Sequence, residues 1–170
     1  MSTSNFAATA PFVTPQSAIL RNSVVNKSTA FTKDERRKLG IMGLLPPCVE
    51  TLEEQVKRAE LQLRAFRMPI EKHVYLASLL ERNETLFYKL LLSNLEEIMP
   101  LIYTPTVGDA CKEFCHIFRC ATGMYISHED REDIERTIDN WPYVPDIIVV
   151  TDGSRILGLG DLGANGMGSP

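Results

Sequence analysis

No stretch of the chain approaches the roughly 20 apolar residues of a membrane span, and the longest candidates carry a charge every few residues. Nor is there a surplus of bases. Eighteen Lys and Arg stand against 22 Asp and Glu, for a net charge of −4 and a pI near 5.4. A nucleic-acid footprint needs clustered Lys and Arg, so composition argues against nucleic acid as firmly as against membrane. Cysteine is sparse, with four residues, three of them inside a helical pattern. They read as reduced thiols, not as a secreted disulfide framework. Acid is missing altogether from the first 33 residues, which hold Arg21, Lys27, Lys33 and ten Ser or Thr. An acid-free, hydroxyl-rich start resembles a transit peptide. However, no base precedes Arg21 and no helical apolar face is present, and import works through a basic amphipathic helix. The expectation is a disordered leader over 1–18 and a cytoplasmic protein, with mitochondrial import as the alternative.

What is present is globular material: 44% hydrophobic and 24% charged over 170 residues. That is long enough to bury a core without staples. Residues 34–141 read as helices. Thr51 and Glu54 form a Ser/Thr-x-x-Glu capping box after Pro46-Pro47. The helix they open carries Leu52, Val56, Ala59, Leu63 and Phe66 at helical spacing. A second helix is expected over 70–82, with Ile70, Val74, Ala77 and Leu79 or Leu80 inward. Asn83 caps a third that runs to about Met99, where Pro100 stops it. Thr106 and Asp109 open a fourth, with Val107, Ala110, Cys111, Phe114, Cys115 and Phe118 on one face and Gly123 as its C-cap. Met124–Ile126 reads as a short strand, and Ser127 with Asp130 starts an acidic helix ending before Trp141.

At Pro145 the pattern changes. Residues 146–151 form an apolar, β-branched run typical of a strand buried on both faces. Asp152-Gly153 is a turn signal, and Arg155 to Leu159 can return as a paired strand. Six of the ten glycines follow between 153 and 168. The expected fold class is a mainly α-helical N-terminal domain, 19–144, followed by the first β-hairpin of an incomplete α/β domain, 145–170.

Four groupings could carry chemistry. Gly158, Gly160 and Gly163 fit G-x-G-x-x-G, but Asn165-Gly166-Met167-Gly168 is a poor helix start, so tight backbone packing is the stronger reading. Cys111, Cys115, His116 and Cys120 invite a zinc site. On one straight helix they cannot converge on a tetrahedral ion, so they read as small core residues and no metal ligand is assigned. Tyr103, beside Thr104-Pro105, is either a packed phenol or a proton donor. Arg155 is either a surface ion-pair partner or a bidentate carboxylate clamp.

Five segments together carry a resemblance. They are Arg-Arg-Lys-Leu-Gly-Ile-Met-Gly-Leu-Leu-Pro-Pro (36–47), Arg-Asn-Glu-Thr-Leu-Phe-Tyr (82–88), Tyr-Thr-Pro-Thr-Val-Gly (103–108), Val149 to Gly163, and Asn-Gly-Met-Gly (165–168). In order and spacing they resemble the N-terminal region of malic enzymes, from about residue 19 onward. Asn26, Lys27, Ala30, Phe31 and Thr32 are similar to the family's entry segment.

The resemblance implies oxidative decarboxylation of L-malate to pyruvate and CO₂, with NAD or NADP and Mg²⁺ or Mn²⁺ serving the complete enzyme, and a homo-oligomer. It implies that Tyr103 is the proton-donating tyrosine and that Arg155 orients the malate carboxylate and contacts the nicotinamide cofactor. The family's catalytic lysine has no counterpart, since no lysine follows Lys112. Its acidic metal ligands and dinucleotide-binding domain are likewise unmatched. The chain alone is therefore expected to be inactive and to bind none of these groups tightly. The alternative expectation is a non-catalytic helical module acting in subunit association.

Overall fold

The computed structural model describes residues 15–142 and 144–168. Of the expected leader, 1–14 lie outside the described residues. The protein is mainly helical and divides into two compact units. One takes the residues up to Gln62 together with Leu79–Leu92; the other takes Leu63–Ser78 and the chain from Ser93 onward. The helices are α1 (Pro15–Ala18), α2 (Lys33–Lys38), α3 (Leu52–Ala65), α4 (Pro69–Arg82), α5 (Glu84–Ser93), α6 (Leu95–Ile102), α7 (Thr106–Lys112), α8 (Phe114–Ile117) and α9 (Ile134–Asp139). Short 3-10 turns occupy Ile19–Arg21, Ser28–Ala30, His128–Asp130 and Gly163–Gly168. Among the described residues no helix is long and apolar enough to cross a membrane.

In the first unit, Thr32 opens α2 with a reciprocal box. Its hydroxyl accepts the Glu35 N–H at 3.2 Å, and Glu35 accepts the Thr32 N–H at 2.9 Å. Thr51 and Glu54 do the same for α3, as expected from sequence. Phe31, Ile41, Val56, Ala59, Leu79, Leu86, Phe87 and Leu90 are buried. Arg36 is buried with them, and its guanidinium donates to the carbonyls of Phe31 (2.7 Å), Pro46 (2.6 Å), Thr29 (3.0 Å) and Cys48 (3.0 Å). A buried cation needs such acceptors. Here they fix the Gly40–Pro47 loop, whose Gly40 and Gly43 take positive φ. Asn83 caps α5 through its Oδ1, which accepts the Leu86 N–H at 2.9 Å.

Several expectations need correcting. The helix from Asn83 does not reach Met99. It breaks at Asn94, whose backbone leaves the helical region (φ −150°, ψ 60°), and Pro100 sits inside α6, which ends at Ile102. The next helix breaks likewise at Glu113: Val107, Ala110 and Cys111 are buried in α7 as expected, but α8 buries none of its residues, and Cys115 and Phe118 are exposed. Gly123 is not a C-cap, because α8 ends at Ile117. Met124–Ile126 is not a strand, and the Ser127 box opens only a 3-10 turn before α9. Most consequentially, no hairpin forms over 146–159. Ile147, Ile148, Val149 and Val150 are all exposed, and the sole pairing among the described residues is an isolated bridge, Ile156 to Gly160. A β-branched run becomes a strand only when a neighbour supplies its ladder bonds, and none does here.

The core of the second unit holds Leu63, Leu76, Ile98, Leu101, Val107, Ala110 and Cys111. Residue His73 adds a polar tie, its Nδ1 lying 2.8 Å from the Leu101 carbonyl.

Candidate functional site

Within the second unit, α6 hands over to α7 through a tight turn at Tyr103. The Tyr103 N–H donates to Met99 O at 2.9 Å, and its carbonyl accepts the Val107 N–H at 3.0 Å. The backbone is thus held at both ends, yet the residue is 60% exposed. Its hydroxyl has no hydrogen-bond partner among the described residues. Buried tyrosines normally find such a partner. This one presents its phenol outward, which a group that exchanges a proton requires.

Arg155 lies in the segment leading to the glycine-rich loop. It is exposed, and its guanidinium forms no ion pair among the described residues. The bends around it are closed locally: Gly153 N–H donates to Thr151 Oγ1 (3.0 Å) and Ser154 N–H to Asp152 Oδ1 (2.9 Å). The Ser154 backbone N–H, with its hydroxyl, holds the Asp152 carboxyl below the usual range. Beyond Arg155, Ile156 and Gly160 exchange two backbone bonds (2.8 and 2.9 Å), closing a turn with Gly158 at φ +76° and Gly160 at φ +82°. The loop then folds back on itself. Leu162 N–H donates to Gly153 O at 2.9 Å, and a Cβ on Gly153 would overlap the Gly163 carbonyl oxygen. The glycines serve close backbone approach. Gly163 opens a 3-10 turn, not an α-helix N-terminus, so the described residues do not fit a dinucleotide seat.

Helix α7 is the platform for that loop. A Cβ on Gly108 would stand 2.7 Å from Leu159 Cδ2, and one on Gly168 would stand 3.3 Å from Cys111 Sγ. A Cβ on Gly123 would overlap the Met167 sulfur. Cys115, exposed on α8, donates its thiol to Asn165 Oδ1 at 3.7 Å. The structure therefore sets the Tyr103 turn at one end of α7 and packs the loop that follows Arg155 against that same helix.

The cysteines do not gather around an ion. Cys111 is buried, which pushes its thiol upward, while Cys48, Cys115 and Cys120 are exposed. All four are free. Among the described residues no group of three His, Cys, Asp or Glu could hold a metal. Burial, reinforced by Cys115, pushes the neighbouring Tyr125 phenol upward.

A polar cluster in the first unit escaped the sequence reading. Gln55 is buried and donates to Lys27 O (3.0 Å) and Thr29 Oγ1 (2.8 Å), while its Oε1 has no partner. Thr29 also bonds Glu50, which pairs with Arg58; Arg58 first and Thr29 second hold the Glu50 carboxyl low. Gln55 shares its turn with the apolar positions of α3, and that is the signal available in sequence.

Residues 80–170 match the family model described as the malic enzyme N-terminal domain. The chain is 57% identical over 155 residues to an NADP-dependent malic enzyme of Dictyostelium discoideum, covering 91% of this chain and 28% of that protein. It is 51% identical over 153 residues to an NAD-dependent malic enzyme of Idiomarina loihiensis, covering 89% and 27%. A hydrogenosomal malic enzyme of Neocallimastix frontalis is 53% identical over 153 residues, covering 89% and 26%. The chain spans less than a third of the length of these relatives.

Proposed function

The chain belongs to the malic enzyme family, and from that premise we propose that it is the N-terminal part of an enzyme that oxidatively decarboxylates L-malate to pyruvate and CO₂ with NAD or NADP. In this reading residues 19–144 are the helical domain and 145–170 begin the α/β catalytic domain, whose sheet takes up the exposed apolar run at 146–151. The observation that carries the proposal is the pairing of two outward, unengaged groups, Tyr103 and Arg155, on segments joined through α7.

Each side chain has a role its chemistry suits. The Arg155 guanidinium, with a planar fork of donors, binds a malate carboxylate bidentately. The Tyr103 phenol returns a proton to the enol carbon once CO₂ has left, and the solvent at its exposed face restores it. The family's divalent Mg²⁺ or Mn²⁺ and its dinucleotide do not fit the described residues, so no step through either is assigned to them. The lysine that acts as base in the family has no counterpart after Lys112. A homo-oligomer and a cytoplasmic compartment go with this reading, a mitochondrial one being its alternative.

The test is malate-dependent reduction of NAD or NADP with Mn²⁺. In the full-length protein, Tyr103→Phe should lower kcat by about 10²–10⁴-fold, and Arg155→Lys should raise the KM for malate. The 170-residue chain alone should show no turnover. Turnover by that chain above its own Tyr103→Phe control would refute its expected inactivity, and an unchanged kcat in full-length Tyr103→Phe would refute the proposed role of the tyrosine.

A further inference from the structure

Glycine is a poor helix former, yet Gly108 sits buried inside α7. What occupies the space of its missing side chain is Leu159. A Cβ at 108 would lie 2.7 Å from Leu159 Cδ2, with Cδ1 and Cγ at 3.8 and 3.9 Å. The whole branched end of the leucine therefore rests over the bare Cα. Leu159 is aimed there by the turn that holds it. Ile156 and Gly160 close that turn with two backbone bonds, and a third runs from Leu159 N–H to Ile156 O at 3.0 Å. Gly158 and Gly160, on either side, take the positive φ that the reversal demands. Leu157, two residues earlier, is 99% exposed. One leucine of the turn is thus spent on α7 and the other is left in water.

The contact joins the two segments that matter for the chemistry. Arg155 immediately precedes Ile156, the first residue of the turn. Val107, immediately before Gly108, donates the bond that ties the Tyr103 carbonyl into α7. We propose that Gly108 and Leu159 form a positioning contact that sets Arg155 relative to the Tyr103 turn and so tunes malate binding, although neither residue touches substrate. This rests on the reading of Arg155 given above.

The test compares Gly108→Ala, Leu159→Ala, the double variant and Arg155→Lys in the full-length protein. The readouts are malate KM, kcat, Tm and amide exchange across 155–163. Gly108→Ala should raise KM about tenfold, as a sub-ångström displacement of a binding group does. Its kcat should stay within about threefold. Tm should hold or rise, because alanine is the better helix former. Leu159→Ala should raise KM as well, and adding Gly108→Ala to it should raise KM no further, since the new methyl then meets no leucine.

An unchanged KM in Gly108→Ala beside a raised KM in Arg155→Lys would overturn the positioning role alone. A fall in Tm that accompanies the KM change would overturn it in favour of a purely structural glycine. An unchanged KM in Arg155→Lys would refute the substrate reading of Arg155. Amide exchange would then decide the contact: faster exchange of Leu159 and Gly160 in Gly108→Ala upholds it, and unchanged exchange overturns it.

Discussion

Replacing Gly153 by alanine should open the glycine-rich loop while leaving the helices intact. Two effects add at this position. Gly153 has φ +67°, and the left-handed region costs an L-residue about 1–2 kcal/mol. Its new methyl would also overlap the Gly163 carbonyl oxygen, which is backbone and cannot rotate aside. Relieving that overlap separates the two crossing segments and breaks the Leu162 N–H to Gly153 O bond, worth about 1 kcal/mol net. Lost packing against Gly166, on which a Cβ would stand 3.2 Å from Gly153 Cα, adds about another 1 kcal/mol. Gly158 is the matched control, because its φ is +76° but nothing lies within 4 Å of its missing Cβ. Gly158→Ala therefore bears the backbone penalty alone. The difference of about 2 kcal/mol corresponds to a factor of about 30 in the opening equilibrium. Native-state amide exchange at Leu162 and Asn165 reads it directly. Equal acceleration in the two variants would refute the overlap argument.

Arg36→Met should destabilise the first unit by about 3–5 kcal/mol, since four carbonyls, held in one buried and three part-buried bonds, lose a charged donor. Urea unfolding checks this, and Arg36→Lys should not restore it, because an ammonium cannot reach four acceptors from one planar fork. The Glu35 carboxyl is lowered to about 2 from 4.5, chiefly by its hydrogen bond with Lys27. Because the folded value is depressed, the stabilisation is present above about pH 4.5 and is lost as pH falls towards 2. Thermal melts of the wild type and Glu35→Gln should therefore converge across that window, and a constant gap would contradict the assignment. Under native conditions an alkylating reagent should modify Cys48, Cys115 and Cys120 well before the buried Cys111, as peptide mass mapping would show. Equal rates at Cys111 would mean that α7 is not covered.

Helices α3 and α4 were legible because their information is local. Thr51 and Glu54 announce the start of α3, and Val56, Ala59 and Leu63 keep one face. The break at Asn94 was not legible, since the apolar pattern of α5 continues into α6 across a residue whose backbone alone departs. The strand expected at 146–151 failed for the complementary reason: alternation and branching describe a segment suited to a sheet, but only another strand makes it one. The Arg36 clamp was invisible because its four acceptors converge from Thr29, Phe31, Pro46 and Cys48, and nothing in their spacing says so. Tyr103 and Arg155 were chosen from resemblance. Their residue types allowed either a bland or a chemical role, and only the fold reveals that both polar ends are unengaged among the described residues.

The arginine hub under the Gly40–Pro47 loop also bears on how the protein meets acid. Its four acceptors are backbone carbonyls, and a peptide carbonyl has no titration point in the range in which proteins survive. The Glu35 box at the entrance to α2 does have one. Acidification should then unravel the mouth of that helix first, while the bend beyond it stays tied, so that unfolding proceeds around a fixed anchor.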